Sequence, residues 1–288
     1  MMSNHLKFIN LAHDVASKNL GKTFPNPTVG CVISKNNIII SKAVTSATGR
    51  PHAEEIALKK AGKKAKGAIM YVTLEPCFHN SQNGSCADQI LRSGINKIYI
   101  SCIDEDPRTK KKSISKLKKN KIKVITGIEK DKTISVNNFY FKSLKKKKPF
   151  TKVKMAISND NKIAWSNYKS KWISNSKSRA YVHSLREKTQ AILTTSKTIL
   201  IDNPRFTVRK KNKIIKNLNV IIIDKNLNIP LNINLLKNLH ERRIIIFTSK
   251  KNNKSQKLKQ LGCEIIEMKI VNNKFDLKKI FSYRLLAV

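Results

Sequence analysis

The sequence predicts an α/β protein built from two domains. Its first half alternates strand-like and helix-like segments, a pattern typical of a three-layer domain with a partly parallel sheet. Its length of 288 residues exceeds what one hydrophobic core usually supports. A lysine run that ends at Pro149 indicates an exposed linker between the halves. We therefore expect domains at residues 1–146 and 147–288.

Local apolar patterns predict the elements of the first domain. The N-terminus has the periodicity of an amphipathic helix, with Leu6, Ile9 and Val15 near one face. The segments after it alternate between the two types. Strands are expected at 28–34, 37–44, 68–75, 97–103 and 123–128, and helices at 53–65, 86–94 and 112–120.

The second domain repeats this alternation. It restarts with the segment TKVKMAIS at 151–158, which is followed by a helical pattern at 175–189. Further apolar segments, separated by one more helical pattern at 254–262, complete a second α/β unit. They lie at 191–196, 216–224, 242–249 and 263–270.

The charge balance is strongly basic, with 59 Lys and Arg residues against 18 Asp and Glu residues and a formal net charge of +41. Such a balance is typical of proteins that bind nucleic acid. The lysines are spread along the whole chain, however, and aromatic residues make up only 6%, which leaves little for base stacking. We therefore expect a phosphorylated small molecule, attracted by the positive field, and not nucleic acid.

Neither a membrane span nor a disulfide framework is expected. No apolar run approaches the roughly 18 to 20 residues that a span needs. The five cysteines are an odd number, and Cys31, Cys102 and Cys263 lie in apolar runs typical of buried thiols. The N-terminus lacks the apolar stretch of a signal peptide, so the predicted location is cytoplasmic.

Cys77 and Cys86 differ from the other cysteines because they lie in a polar, turn-rich segment. Shortly before them comes a His-x-Glu motif formed by His52 and Glu54. One histidine and two cysteines are a set of three protein ligands that leaves zinc an open position for water, as catalytic sites require. Glu54 would lie near the metal and could move a proton from water to a leaving amine. A structural zinc site, with His79 as a fourth ligand, is the alternative.

The first half resembles the deaminase domain of the bifunctional riboflavin-biosynthesis deaminase/reductases, which has a cytidine-deaminase-like fold. The segments that carry the resemblance are PNPTVGCVI (25–33), PHAEEIAL (51–58), YVTLEPCFHNSQNGSCADQI (71–90) and DEDPR (104–108). The long interval between Cys77 and Cys86 distinguishes this family from tRNA deaminases, which usually have Cys-x-x-Cys. The resemblance implies that Asn26 and His79 contact the pyrimidine of the substrate.

Residues 149–209 resemble the reductase domain of the same family, which has a dihydrofolate-reductase-like fold and uses NADPH. The resemblance implies two groups of site residues. Those that would line the dinucleotide are Ala156, Trp172, Thr198 and Asp202. Those that would hold the ribose phosphate end of the substrate are Ser170, Arg186, Phe206 and Arg209. Arginine suits this role because its planar fork of donors matches a phosphate, although Trp172 alone could be a core residue and Arg186 alone a surface charge.

Several positions depart from the pattern of this reductase domain. Asn161 stands where glycine is common, residues 194–198 lack a frequent glycine, and Lys225 stands where a small hydroxyl residue is common. Members of the family also continue beyond the point where this chain ends, into a Glu-Gly-Gly turn that contacts NADPH and substrate. We therefore expect an incomplete dihydrofolate-reductase-like α/β domain whose activity the sequence leaves open.

The resemblance implies a zinc-dependent hydrolytic deaminase of riboflavin biosynthesis that acts on 2,5-diamino-6-ribosylamino-4(3H)-pyrimidinone 5′-phosphate. NADPH-dependent reduction of the ribosyl group to ribityl would follow. Three alternatives stay open: a deaminase whose reductase domain is non-functional, a zinc deaminase that acts on nucleic acid, and a non-catalytic remnant with structural zinc. Related enzymes are often dimers or tetramers, which predicts a homo-oligomer.

Overall fold

The computed structural model describes residues 2–79, 84–167, 173–211 and 213–283. The chain divides after Phe150 into two compact units, and the first of them includes the helix that ends at Lys146. The domain limits near residue 146 stay a prediction. Among the described residues, every helix is too short or too polar to span a bilayer.

The first unit alternates helices and strands, as its sequence predicts. In chain order its elements are α1 (Met2–Ser17), β1 (Gly30–Lys35), β2 (Ile38–Val44), α2 (Ala53–Ala61), β3 (Ile69–Leu74), α3 (Cys86–Arg92), β4 (Lys97–Cys102), α4 (Lys112–Lys119), β5 (Lys123–Thr126), α5 (Lys130–Val136) and α6 (Asn138–Lys146). The five strands form one sheet in the order β2-β1-β3-β4-β5. β1 is antiparallel to both of its neighbours, whereas β3, β4 and β5 are parallel. The loops after β3 and β4 therefore open at the same edge of the sheet.

Both faces of this sheet are buried, which makes the unit a three-layer structure. Met70 and Ile98 lie on the face covered by α2, α3 and α4, in a core that also contains Ala57 and Leu117. Tyr71, the next residue after Met70, packs on the opposite face with side chains of α1. Burial on two faces explains why the central strands β3 and β4 are mostly apolar. The predicted α/β class is confirmed.

The second unit contains a separate parallel sheet. Its elements are α7 (Ser176–Glu187), β6 (Ala191–Thr195), α8 (Ser196–Asp202), β7 (Thr207–Lys210), β8 (Lys213–Asn217), β9 (Asn219–Ile223), β10 (Ile244–Thr248), α9 (Asn253–Gln260), β11 (Glu264–Glu267) and α10 (Leu277–Ser282). The sheet order is β11-β10-β9-β6, and β7 and β8 form an antiparallel hairpin. Ile222, Ile246 and Leu258 are fully buried in its core.

One segment differs from simple expectation. Residues 151–158 form neither helix nor strand, and Val153 and Met155 are 85% and 69% exposed. An alternating apolar pattern gives a strand only where a neighbouring strand accepts its hydrogen bonds. The last helix of the first unit reaches Lys146, and its residues Tyr140 and Phe141 pack against the first core.

The approach of α1 to β1 depends on Gly30. A Cβ added at this residue would lie 1.9 Å from the carbonyl oxygen of Ala12, so the helix would have to move. We expect Gly30→Ala to lower the unfolding free energy by about 3 kcal/mol, measured by urea denaturation and circular dichroism.

Gly62→Ala is the matched control. An added Cβ there meets open space, although the backbone has a left-handed φ of 52°. Backbone strain alone predicts a loss of about 1 kcal/mol. Equal losses in the two variants would contradict the close approach of α1.

Candidate active site

Three side chains with metal-binding atoms converge at the edge where β3 ends. His52 immediately precedes α2, Cys77 follows β3, and Cys86 is the first residue of α3. One potential ligand atom from each lies within 4.8 Å of the others. Both cysteines are buried, whereas His52 is half-buried. The structure thus brings together the residues that the sequence predicts as zinc ligands.

Local hydrogen bonds position the two cysteines. Ser85 caps α3, because its hydroxyl oxygen accepts the Asp88 N–H at 3.1 Å. At the start of this helix the Cys86 N–H donates to Cys77 Sγ at 3.3 Å. The backbone oxygen of Cys77 also accepts the Ala87 N–H at 3.3 Å. The first turn of α3 is therefore tied directly to the segment that follows β3.

His52 lies between the thiols and a predicted substrate contact. Its Nδ1 is 3.3 Å from Cys86 Sγ, and its Nε2 is 3.5 Å from the amide nitrogen of Asn26. The same amide donates to the carbonyl oxygen of Gly49 at 2.8 Å. Asn26 is therefore held beside the metal-binding cluster.

The donor set fits a zinc ion. Two sulfurs and one imidazole nitrogen are preferred zinc ligands, and three of them leave one coordination position open. A hydrogen bond from the Cys86 thiol lowers the pKa of Cys77 to about 4, and the same contact raises the pKa of Cys86. The two thiols thus lie in hydrogen-bond contact, and metal binding would require both to lose their protons.

Glu54 lies in the first turn of α2, two residues after His52, and is only 3% exposed. Burial raises the pKa of its carboxyl group to about 7, although a charged His52 would oppose this shift. A carboxyl group with such a pKa can accept and donate a proton near neutral pH. The side chain that the sequence predicts as catalytic therefore lies buried beside the cluster.

Glu75 was not predicted, yet it organises the loop next to the cluster. Its carboxylate accepts the N–H groups of Asp104 at 3.2 Å and Lys111 at 3.1 Å, and the Ser113 hydroxyl at 2.7 Å. These donors follow β4, whereas Glu75 lies two residues before Cys77. One buried carboxylate thus ties the two loops together. Its position directly before Pro-Cys was the available sequence signal.

His79 lies beside an acidic group of the same loop. Burial alone would raise the pKa of Asp106. The Arg108 guanidinium donates hydrogen bonds to this carboxylate and lowers its pKa, and His79 adds a smaller contribution in the same direction. The Nδ1 atom of His79 is buried and forms no hydrogen bond within the described ranges. Its hydrogen-bonding capacity is therefore unused within these ranges.

In the second unit, α7 and the β7–β8 hairpin bring two predicted phosphate ligands near each other. Burial and, to a smaller extent, the nearby Arg209 lower the pKa of Arg186. The backbone N–H of Arg209 donates to Nδ1 of His183 at 3.2 Å, which connects the hairpin to the helix. Two neighbouring guanidinium groups suit a phosphate. Ser170 and Trp172 lie outside the described residues.

The predicted dinucleotide residues lie on two different segments of this unit. Ala156 lines a cavity of about 550 Å³ together with Tyr181 of α7. Thr198 and Asp202 lie one turn apart on α8, and Phe206 follows shortly after with a left-handed φ of 45°. A cavity of this size suits part of a dinucleotide.

Metal binding can be tested through Cys86. We expect the protein prepared with zinc to retain about one ion per chain after dialysis, because three donors converge. Cys86→Ser should retain almost none, as measured by atomic absorption. Cys102→Ala, which removes another buried thiol of the same unit, should bind zinc normally. Equal retention in both variants would contradict the assignment.

Asp104 should make stability depend on pH. Burial raises the pKa of its carboxyl group to about 6, although the Tyr140 hydroxyl donates to it at 3.0 Å. The folded state therefore binds this proton more tightly than the unfolded chain, whose aspartates have a pKa of about 3.9. Consequently this group's stabilising contribution is present below about pH 4 and is lost as the pH rises to about 6, by up to about 3 kcal/mol.

Asp104→Asn keeps an oxygen that can accept the Tyr140 hydroxyl but cannot ionise. Its unfolding free energy should therefore fall less than that of the unaltered protein between pH 4 and pH 6. Urea denaturation at several pH values measures the difference. Asp160→Asn, at an exposed position of the second unit, is the control. Parallel curves for Asp104→Asn and the unaltered protein would refute the assignment.

Comparison with known families identifies two matching regions. Residues 2–102 match the model of the cytidine and deoxycytidylate deaminase zinc-binding region, and this range includes His52, Cys77 and Cys86. Residues 149–283 match the model of the RibD C-terminal domain. Each compact unit therefore contains one of the two matches.

Whole proteins with both regions are also similar to this chain. The riboflavin biosynthesis protein RibD of Aquifex aeolicus is 37% identical over 277 residues, which cover 95% of this chain and 76% of that protein. The structure of Acinetobacter baumannii RibD has a TM-score of 0.86 at 30% identity, covering 98% of this chain and 77% of the other. A diaminohydroxyphosphoribosylaminopyrimidine deaminase/5-amino-6-(5-phosphoribosylamino)uracil reductase from Thermotoga maritima has a TM-score of 0.82 at 30% identity, covering 97% and 77%. This chain spans about three quarters of the length of these relatives, and it belongs to the RibD family of riboflavin-biosynthesis proteins.

Proposed function

We propose that the first unit catalyses the hydrolytic deamination of 2,5-diamino-6-ribosylamino-4(3H)-pyrimidinone 5′-phosphate. The observation that carries this proposal is the buried Glu54 beside a converging set of one imidazole and two thiols. Membership in the RibD family supports the choice of a pyrimidine substrate. In the reaction, water replaces the exocyclic amine of the ring, and ammonia is released.

His52, Cys77 and Cys86 would hold the metal. Zinc bound there supplies a Lewis acid that makes water nucleophilic near neutral pH. Glu54 accepts a proton from the attacking water and returns it to the amine, which then leaves as ammonia. The burial that raises the pKa of Glu54 to about 7 suits both transfers.

Asn26 and His79 are the proposed contacts for the pyrimidine ring. The Asn26 amide lies beside His52, where the carboxamide can bond the polar edge of a ring. The buried Nδ1 of His79 has no hydrogen-bond partner within the described residues and can bond a second polar group. Together these groups would orient the carbon that bears the amine.

The second unit is the proposed site of NADPH-dependent reduction of the ribosyl group to ribityl. RibD reductase domains use NADPH, and residues 149–283 match that domain. The proposed dinucleotide ligands are Ala156, Trp172, Thr198 and Asp202, and the proposed ligands of the substrate's ribose phosphate end are Ser170, Arg186, Phe206 and Arg209.

A chain that deaminates without reducing is the second candidate. The exposure of segment 151–158, which carries Ala156, favours it. The flanking side chains of Val153 and Met155 are 85% and 69% exposed, so this side of the proposed dinucleotide site is open to water. Closure of an active site expels water and prevents side reactions, and an open site lacks this protection.

The proposal also covers the location, the oligomeric state and the ligand class of the enzyme. We place it in the cytoplasm as a homo-oligomer that acts on a phosphorylated small molecule. The evenly distributed lysines and the low aromatic content argue against nucleic acid as the main ligand. Salt-sensitive binding of RNA together with deamination of an oligonucleotide would instead indicate a deaminase that acts on nucleic acid.

One product analysis tests both activities. Zinc-loaded protein is given the diaminopyrimidine ribosyl phosphate with NADPH, and mass spectrometry identifies the products. A deaminated ribityl product supports both activities, whereas a deaminated product that keeps its ribose supports the deaminase alone. Recovery of the substrate unchanged would contradict the proposed function.

Glu54→Gln tests the mechanism. It should lower the deamination rate by about 100- to 10,000-fold while zinc stays bound, because the proton carrier is lost. Glu55→Gln, on the same helix turn but paired with Arg50, should retain activity. Undiminished turnover in Glu54→Gln would contradict the role of this residue.

A further inference from the structure

A cavity of about 500 Å³ lies in the first unit next to the metal-binding loop. Part of its lining is Phe78, the residue that directly follows Cys77. Most of the rest is cationic and comes from α4 and the turn just before it. The cationic residues are Lys110, Lys111, Lys112, Lys116 and Lys119. These five lysines and Phe78 are called the lysine cavity below.

The lysine cavity has a surplus of positive charge. Lys110 pairs with Glu105 at 2.7 Å, and Lys116 pairs with Asp88 at 2.5 Å. The remaining three lysines form no ion pair or side-chain hydrogen bond in the described part of the chain. They are Lys111, Lys112 and Lys119. A concave surface with unneutralised ammonium groups attracts a multiply charged anion.

Two contacts fix the lysine cavity relative to the metal-binding cluster. Glu75 lies two residues before Cys77 along the chain. Its buried carboxylate accepts a hydrogen bond from the backbone N–H of Lys111 at 3.1 Å. The Lys116 ammonium group lies 5.5 Å from the centroid of the Phe78 ring. The lysines of α4 and of the turn before it are thus connected to the loop that follows β3.

We propose that the lysine cavity binds the 5′-phosphate of the pyrimidine substrate while the ring is deaminated. This proposal rests on the proposed function. The substrate carries a phosphate dianion, whereas Asn26 and Glu54 offer it no positive charge. Lysines are suitable because an ammonium group binds phosphate as a point charge, without the fixed geometry that a guanidinium requires. The arginines assigned to phosphate above lie in the second unit.

The test compares two substrates that differ only in the phosphate. Full-length zinc-loaded protein with Lys111→Gln, Lys112→Gln and Lys119→Gln is assayed with the phosphorylated pyrimidine and with its dephosphorylated riboside. For the phosphorylated substrate, kcat/KM should fall by about tenfold or more, mainly through KM. For the riboside it should stay unchanged. Replacement of the same three lysines by arginine keeps the charge and should restore most of the original value, short of the full value because a guanidinium is less adaptable in geometry.

The control removes the same charge from another surface of the first unit. Lys59, Lys60 and Lys63 are exposed on and just after α2, and their replacement by Gln should leave both substrates unaffected. An equal loss in this control would assign the effect to the overall field. A loss that is equal for both substrates would assign it to the catalytic loop. Either result overturns the proposal.

A binding measurement separates this proposal from the proposed function. Calorimetry with ribose 5-phosphate is performed in an Arg186→Gln, Arg209→Gln background, which removes the proposed phosphate ligands of the second unit. The protein could deaminate no pyrimidine while the Lys111→Gln, Lys112→Gln, Lys119→Gln variant loses this binding and the control variant keeps it. The lysine cavity would then be a phosphate site, and the proposed function would be wrong. Undiminished binding of ribose 5-phosphate in the cavity variant overturns the proposal. The proposal is also overturned if the cavity lysines bind a short single-stranded RNA and not ribose 5-phosphate.

Discussion

The parallel pairing of β3 with β4 is the constraint on which the site depends. Its register places Leu74 opposite Cys102, so both strands end at one edge of the sheet. Just beyond that edge, Glu75 accepts hydrogen bonds from the loop after β4, and Cys77 begins the metal-binding cluster. Without this carboxylate, buried donors would lose their partner, at a cost of about 1–3 kcal/mol for each. Strand register and buried hydrogen bonds therefore fix the loops before any ligand binds.

A phosphorylated pyrimidine needs two opposite environments, and the first unit provides both. The carboxyl group of Glu54 is buried, and the loss of water raises its pKa to about 7, which suits proton transfer to an uncharged ring. The lysine cavity is open and keeps three lysines without an ion pair among the described residues, which suits a dianion. Separation of the two matters, because ammonium groups placed against Glu54 would favour its charged form and lower its pKa.

The sequence predicts the parts of this structure whose signal is local. The apolar strands of the first sheet follow from burial on both faces, and His52, Cys77 and Cys86 follow from motif spacing. The network around Glu75 could not be derived in this way, because its partners lie 29 or more residues distant along the chain. Segment 151–158 has a strand-like alternation, yet a strand also needs a neighbour that no local pattern supplies.

The lysine cavity was hidden for a different reason, since 59 basic residues against 18 acidic ones leave most lysines without an acidic partner. An unpaired lysine is therefore no sign of a site in this chain, and the net charge of +41 says little about a specific ligand. What distinguishes the cavity is its attachment: the backbone of Lys111 bonds to Glu75, and Lys116 lies over the ring that follows Cys77. Lysines scattered on solvated helices have no such link to reacting groups. Position relative to the metal-binding loop, and not charge itself, makes these lysines candidates for substrate recognition.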